Sequence, residues 1–241
     1  MSERGFVRKK NEDNFLFDEI YLQPEHAGTE GILRLNTDER MILGLFDGMG
    51  GEAGGEYASF LAAGVFSKLK EEENIDAEIL KKYYQEANDA VFDYAYEHIG
   101  RFSGTTANLL IFYEDSLVYG NIGDSRTYLY RGGELKQISV DHTDIKMMEL
   151  YGVVNRKPEL TQCLGLDSEE IQIEPSIGSL QLKNGDVLLL CSDGVTDTVD
   201  LKEVPDLFEN DVDVIASEIV EKALMNGGVD NTTIIAVRYL D

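Results

Sequence analysis

The sequence predicts an α+β fold in which antiparallel sheets are covered by helices. Three observations predict it. Short apolar runs at 107–113, 117–121, 126–130 and 135–138 are separated only by turn signals at Glu114-Asp115, Gly123-Asp124 and Gly132-Gly133. Strands spaced so closely pair as antiparallel hairpins, because parallel pairing needs a long crossover. Two amphipathic helical patterns follow one another before these strands, as a helical hairpin laid over a sheet would. Finally, the one stretch that starts like a βαβ unit lacks its second parallel strand: after residues 41–69 the chain runs into Glu71-Glu72-Glu73 and then a second helix.

Taken in order, residues 5–14 are polar, with Arg8, Lys9 and Lys10 beside Asn11-Glu12-Asp13-Asn14. Such a segment is usually solvated; the functional alternative is an arginine held beside carboxylates near a phosphate. Residues 15–17 and 20–22 read as short strands, and 23–29 as a loop. The apolar run 41–46 reads as a buried strand. It stops at Asp47 and enters a glycine-rich loop, Gly48-Met49-Gly50-Gly51. Glycine lets the backbone approach a bound group closely, and a carboxylate at the end of a strand suits a hard cation. Asp-Gly is also a common turn pair, and Gly48-x-Gly50-x-x-Ala53 imitates a dinucleotide-binding loop. The missing βαβ unit argues against that last reading.

Tyr57, Phe60, Leu61, Gly64, Val65 and Leu69 mark one face of the first helix. Asp76 caps a second, whose stripe runs Leu80, Tyr83, Tyr84, Ala87, Val91, Tyr94 and Ala95. After the hairpins, 141–150 reads as a short helix, 152–161 as a polar loop and 171–173 as a strand. Residues 186–191 form a second strongly apolar run, and it too ends on an acid, in Ser192-Asp193-Gly194. Asp200 caps a short helix with Glu203 at the reciprocal position. Val212, Ile215, Ile219 and Ala223 mark a last helix, stopped by Asn226-Gly227-Gly228. Asp230-Asn231 opens a final strand at 232–237.

The 241 residues carry no linker, repeat or low-complexity tract and suggest one domain, 1–241, large enough for a full core. Twenty-one basic and 46 acidic residues give a net charge of −25, a field that repels nucleic acid and anionic membrane. It leaves an anionic substrate open, because a local cation reverses the sign inside a site. Cys163 and Cys191 make neither a disulfide framework nor a cysteine zinc site. Residues 1–10 lack the apolar core of a signal peptide, and no apolar stretch is of membrane-spanning length. A soluble, cytoplasmic protein is expected.

Asp47, Asp193 and Asp230 share one setting, the boundary of an apolar strand beside Gly or Asn. Three carboxylates brought together repel one another and resist ionisation, and a divalent cation removes that penalty. Oxygen ligands without a Cys or His pattern indicate Mg²⁺ or Mn²⁺ over Zn²⁺. His26, His98 and His142 are not paired at metal-ligand spacing.

Eight pieces in order carry a family resemblance. They are Gly5-x-Val7-Arg8-x-x-Asn11-Glu12-Asp13, Phe46-Asp47-Gly48-Met49-Gly50-Gly51, Gly104-Thr105-Thr106 and Asn121-x-Gly123-Asp124-Ser125-Arg126. Then come Asp141-His142-Thr143, Leu160-Thr161-Gln162-x-Leu164-Gly165, Ser192-Asp193-Gly194 and Asp230-Asn231-Thr232-Thr233. Together they resemble the metal-dependent protein Ser/Thr phosphatases of type 2C, in their short bacterial form. The resemblance implies a four-layer α-β-β-α sandwich, two central antiparallel sheets flanked by helical hairpins. It also implies that Asp47 bridges two metal ions, joined at one by the Gly48 carbonyl, while Asp193 and Asp230 hold the other. Asp124, with Asp193, matches a third metal position. Glu12 and Asp13 would orient metal-bound water, and Arg8 would bind phosphate. A hydroxide bridging two Mg²⁺ or Mn²⁺ ions would then attack phosphoserine or phosphothreonine directly, without a phosphoenzyme.

Two features depart from the family pattern. Met49 and Glu52 stand where many relatives carry a histidine, which leaves Glu52 or a water as the leaving-group acid. The segment 141–160 is short for the family's flap. The expected partner is a phosphorylated protein, the substrate of a bacterial Ser/Thr kinase, acted on by a monomer. A pseudophosphatase serving as a regulatory binding module is the alternative from another class. A phosphatase dedicated to one regulatory protein is a third.

Overall fold

The computed structural model describes residues 1–24, 40–50 and 54–240. Its strands are β1 (Ser2–Glu3), β2 (Asn14–Phe17), β3 (Met41–Phe46), β4 (Gly48–Met49), β5 (Gly104–Thr105) and β6 (Ala107–Tyr113). They continue as β7 (Ser116–Ile122), β8 (Arg126–Arg131), β9 (Glu134–Gln137), β10 (Ser176–Gln181), β11 (Val187–Cys191) and β12 (Thr232–Arg238). The helices are α1 (Gly55–Ser67), α2 (Ala77–Tyr94), α3 (Ile145–Tyr151), α4 (Asp193–Thr196) and α5 (Val212–Met225).

Two five-stranded sheets have the orders β1-β12-β11-β8-β9 and β10-β7-β6-β3-β2, with every pairing antiparallel. Side-chain alternation along the central strands explains the layers. In β11, Leu188 and Leu190 join Leu43, Leu45, Leu110 and Ile235 between the sheets. Val187, Leu189 and Cys191 point the other way, onto Ile215, Ile219 and Ala223 of α5. In β6, Leu110 and Phe112 enter the intersheet core, while Leu109 and Ile111 meet Phe66 of α1 and Tyr84 of α2. Strands buried on both faces read as continuous apolar runs, so 41–46 and 186–191 carry no polar alternation. The result is the expected α-β-β-α sandwich. Its two outer layers differ: α1 and α2 form one, and α5 with the single turn α4 the other.

Some local expectations change. Residues 20–22 form no strand: Asp18 takes a positive φ of 55°, and the chain folds straight back so that Ile20 makes one bridge to Phe17. Residues 171–173 are not a strand either. The chain turns there, with the Ile171 amide donating to the Asp167 carbonyl, and the strand forms after Pro175, at β10. The helix expected over 141–150 begins at Ile145, because Asp141 and Thr143 are engaged elsewhere, by Arg126 and in a bridge to Leu160. Asp200 caps as expected, accepting from the Lys202 amide over a 3₁₀ turn. Part of the expected loop at 23–29 lies outside the described residues. Among the described residues no helix is long and apolar enough to cross a membrane.

Candidate metal centre

The centre lies where the two sheets end together. β3 delivers Asp47, and the Gly104-Thr105-Thr106 stretch clamps its backbone. The Asp47 carbonyl accepts from the Thr106 amide at 2.9 Å and the Thr105 hydroxyl at 3.0 Å, while its amide donates to Thr106 Oγ1 at 3.0 Å. Gly48 is required next. A Cβ there would stand 2.3 Å from the Gly55 carbonyl oxygen and 2.5 Å from that of Glu12. β11 delivers Asp193 as the first residue of α4. Gly194 admits the neighbouring loop, since its Cβ would lie 2.0 Å from the Asn231 carbonyl oxygen.

Asn231 fastens the N-terminal segment to this site. Its side-chain amide donates to the carbonyls of Arg4 and Lys10, each at 2.9 Å, and its Oδ1 accepts from the Glu12 amide at 2.8 Å. The charged stretch that a solvated reading would leave loose is thereby carried to the cleft. Asp124 arrives on the turn after β7, where Gly123 takes φ 100° and donates its amide to His142 Nδ1 at 3.1 Å.

A cleft of about 240 Å³ is lined by Arg8, Glu12, Asp47, Gly48, Asp124, Lys157, Asp193 and Asp230, among others. Of the residues singled out in the sequence, these include all but Asp13 and Glu52. Asp13 is buried (2% exposed) and does not reach the cleft surface. Glu52 lies outside the described residues. Asp124, ambiguous as a turn residue, stands with the other carboxylates.

The electrostatics follow from crowding. Burial, and then the charges of Asp13, Asp193, Asp124 and Asp230, hold the Asp47 carboxyl well above the usual range. Burial raises Asp13 to about 7, helped by Asp193 and Asp230. The Thr233 and Ser192 hydroxyls pull it back, yet neither completes a hydrogen bond, and both Asp13 carboxylate oxygens are buried without a partner. Burial and Glu56 raise Glu12 to about 7. Burial and Asp193 raise Asp124 to about 6, against Lys157.

Two cations answer part of this charge. Arg8 Nη2 lies 2.6 Å from Asp230 Oδ2. Lys157 Nζ lies 2.6 Å from Asp193 Oδ2 and 2.5 Å from Asp197 Oδ2. Burial works against the lysine's charge, but these two carboxylates prevail and raise its pKa. Among the described residues no three His, Cys, Asp or Glu side chains stand in metal-holding geometry. The donor chemistry nonetheless fits a hard divalent cation. The donors are oxygen only, they repel one another, and the orphaned Asp13 carboxylate beneath them has no cation of its own. Lys157 and Asp197 were not anticipated. Lys157 sits in an unpatterned polar loop, whereas Asp197 carried a readable signal: four residues after Asp193, it shares a helix face with it.

Comparison with known proteins places this site. The family model for protein phosphatase 2C matches residues 2–151. The protein phosphatase PhpP of Streptococcus pneumoniae is 30% identical, over 84% of this chain and 87% of that protein. The crystal structure of the serine/threonine phosphatase PstP/Ppp of Mycobacterium tuberculosis superposes with a TM-score of 0.81 at 28% identity, covering 100% of this chain and 97% of the other. The catalytic domain of PstP in complex with two manganese ions gives a TM-score of 0.79 at 30% identity, covering 100% and 96%. With well over half its length matched by the family model, and with the sheets, helices and cleft just described, the chain belongs to the protein phosphatase 2C family of enzymes.

Proposed function

We propose that residues 1–241 act as one catalytic domain that hydrolyses phosphoserine and phosphothreonine esters of proteins, using Mg²⁺ or Mn²⁺. The observation that carries this reading is the convergence of Asp47, Asp124, Asp193 and Asp230 on one cleft that also presents the Arg8 guanidinium. A pocket of mutually repelling carboxylates repels a phosphate dianion unless cations join it, and Arg8 with Lys157 does not balance four acids.

On this reading Asp47, the Gly48 carbonyl, Asp193 and Asp230 would hold two ions, with Asp47 common to both, and Asp124 with Asp193 would hold a third. When bound, the two cations supply a water nucleophile ionised near neutral pH and offset the phosphoryl charge. Glu12 and Asp13 keep the surroundings of the nucleophile in order. Arg8, released from Asp230, turns its planar fork to two phosphoryl oxygens and aligns the ester for in-line attack, so no side chain need become phosphorylated. Glu52 is the candidate donor of a proton to the departing alkoxide. The partners are phosphoproteins made by a Ser/Thr kinase in the same compartment, taken here as the cytoplasm, and the chain acts as a monomer.

The test is phosphate release from a phosphothreonine peptide with Mn²⁺, with Mg²⁺ and with chelator. Release that needs metal supports the reading. Binding of the peptide without release, in folded and metal-loaded protein, overturns it in favour of a regulatory binding module.

A further inference from the structure

We infer that His142 is a positioning residue for the metal centre: as a neutral imidazole with its proton on Nε2, it holds the turn that carries Asp124 into the cleft. The inference rests on the phosphatase reading above and concerns how that same site is kept in shape. His142 does not line the cleft, whereas Asp124 does. The histidine acts through the main chain of the residue between them in space, Gly123.

Gly123 is buried and takes φ 100°, and a Cβ there would stand 2.6 Å from Thr106 Cγ2. The same Thr106 clamps the Asp47 backbone. The ladder between β6 and β7 ends at Ile122. A buried amide beyond it still needs an acceptor, and the Gly123 amide donates to His142 Nδ1 at 3.1 Å. The Gly123 carbonyl accepts from the His142 amide at 3.0 Å. One residue thus engages both main-chain groups of the glycine, and Asp124 is the next residue along the chain.

These partners fix the protonation of the ring. A nitrogen that accepts from an amide N–H carries no proton of its own, so the neutral ring holds its proton on Nε2, where Ser176 Oγ lies at 3.1 Å. Burial lowers the pKa of the ring and outweighs the Asp141 and Glu174 carboxylates, which favours the neutral form. Other groups anchor the surrounding chain. Asn121 donates to the Val140 carbonyl at 2.7 Å and accepts from the Val140 amide at 3.0 Å, and Arg126 grips Asp141 through Nε and Nη2. The His142 carbonyl accepts from the Thr161 amide at 2.8 Å. What the imidazole adds is an acceptor for the amide beside Asp124 and a tie to Ser176 on β10, which stands opposite Asn121 of β7.

The test has a spectroscopic arm and a kinetic arm. The first is nitrogen NMR of the wild type with chelator at about pH 8, above the ordinary imidazole range. The expected His142 ring has an unprotonated Nδ1, coupled across the hydrogen bond to the Gly123 amide. A protonated Nδ1 overturns the inference, and this arm needs no variant to fold. The second arm compares turnover of a phosphothreonine peptide with Mn²⁺ in wild type, His142→Asn and His142→Gln. Asn offers its Oδ1 where Nδ1 stands, whereas Gln reaches one bond further, towards Ser176. The Asn variant is expected to stay near wild type and the Gln variant to lose about tenfold in kcat, the lower end for a group that orients a metal ligand from outside. The peptide KM is expected to hold in both. In an Asp124→Asn background, His142→Gln is expected to cost nothing more, since both changes act on one carboxylate. Turnover that does not distinguish Asn from Gln, a loss confined to KM, or a full second loss on top of Asp124→Asn overturns the inference. No turnover of any ester by wild type overturns the phosphatase reading and the positioning role with it, while the ring spectrum still decides the tautomer.

Discussion

Lys157 Nζ stands 2.6 Å from Asp193 Oδ2 and 2.5 Å from Asp197 Oδ2, so a cation from the loop after α3 spans the acid that opens α4 and the acid that follows its last residue. The amine and a divalent ion make the same claim on Asp193. Lys157→Met therefore tightens Mn²⁺ binding roughly fivefold, or ~1 kcal/mol for a half-exposed pair. Isothermal titration reads this directly. An unchanged or weakened affinity would show that Lys157 and the ion do not compete.

Arg8 and Asp230 form the matching pair on the other wall, at 2.6 Å. Arg8→Ala lowers kcat/KM for a phosphothreonine peptide about 100-fold, because a bidentate clamp on the phosphoryl group is lost. Arg8→Lys restores only part of it, since an ammonium lacks the planar fork. Mn²⁺ affinity in Arg8→Ala is not weakened, and that separates a phosphate-binding role from a metal-binding one.

The buried acids make the metal-free fold sensitive to pH in an unusual direction. Asp13 titrates near ~4 when unfolded and at about 7 in the fold. The folded value is the higher, so the fold prefers the protonated acid. Its contribution is present in full below ~4 and is lost as pH rises through about 7. With chelator present, the protein melts several degrees higher at about pH 6 than at about pH 8, and Asp13→Asn shrinks the difference. Mn²⁺ reverses the trend, because the ion binds ionised carboxylates. Scanning fluorimetry across this range checks all three; a difference unchanged in Asp13→Asn would assign it to general charge repulsion.

Gly194 tests the backbone approach that brings the Asp193 and Asp230 loops together. A Cβ there would stand 2.0 Å from the Asn231 carbonyl oxygen and 2.9 Å from its carbon, backbone atoms that no side-chain rotation can move aside. Gly194→Ala should cost about 3 kcal/mol, a fall of roughly 6–12 °C in Tm. Gly133→Ala is the control: φ is +85° there with nothing within 4 Å, and about 1 kcal/mol is expected from backbone strain alone. Equal losses would mean that the Gly194 contact carries no weight.

Much of this was readable in the sequence because the signals were strong and local. The apolar runs at 41–46 and 186–191 are central strands buried on both faces, and the acids ending them mark where both sheets present their edges to the cleft. The hairpin turns placed β6 to β9 nearly residue by residue. The failures have physical causes. Strand β10 hid behind Pro175, while Ile171 and Ile173 offered a false alternation in a segment that turns. Lys157 carried no periodicity, because a loop residue brought to its partner by tertiary packing leaves no pattern along the chain. Several matching pieces turn out to be scaffolding. Thr105 and Thr106 clamp the Asp47 backbone, and Asp141 receives Arg126 through both Nε and Nη2.

The central claim is that Asp47, Asp193 and Asp230 gather cations for phosphoester hydrolysis. The most direct measurement is Mn²⁺ stoichiometry by titration calorimetry, paired with turnover of a phosphothreonine peptide, in wild type and Asp193→Asn. The account predicts at least two ions per wild-type chain, fewer in Asp193→Asn, and loss of metal-dependent turnover in that folded variant. Equal stoichiometry and equal turnover in the two proteins would contradict it.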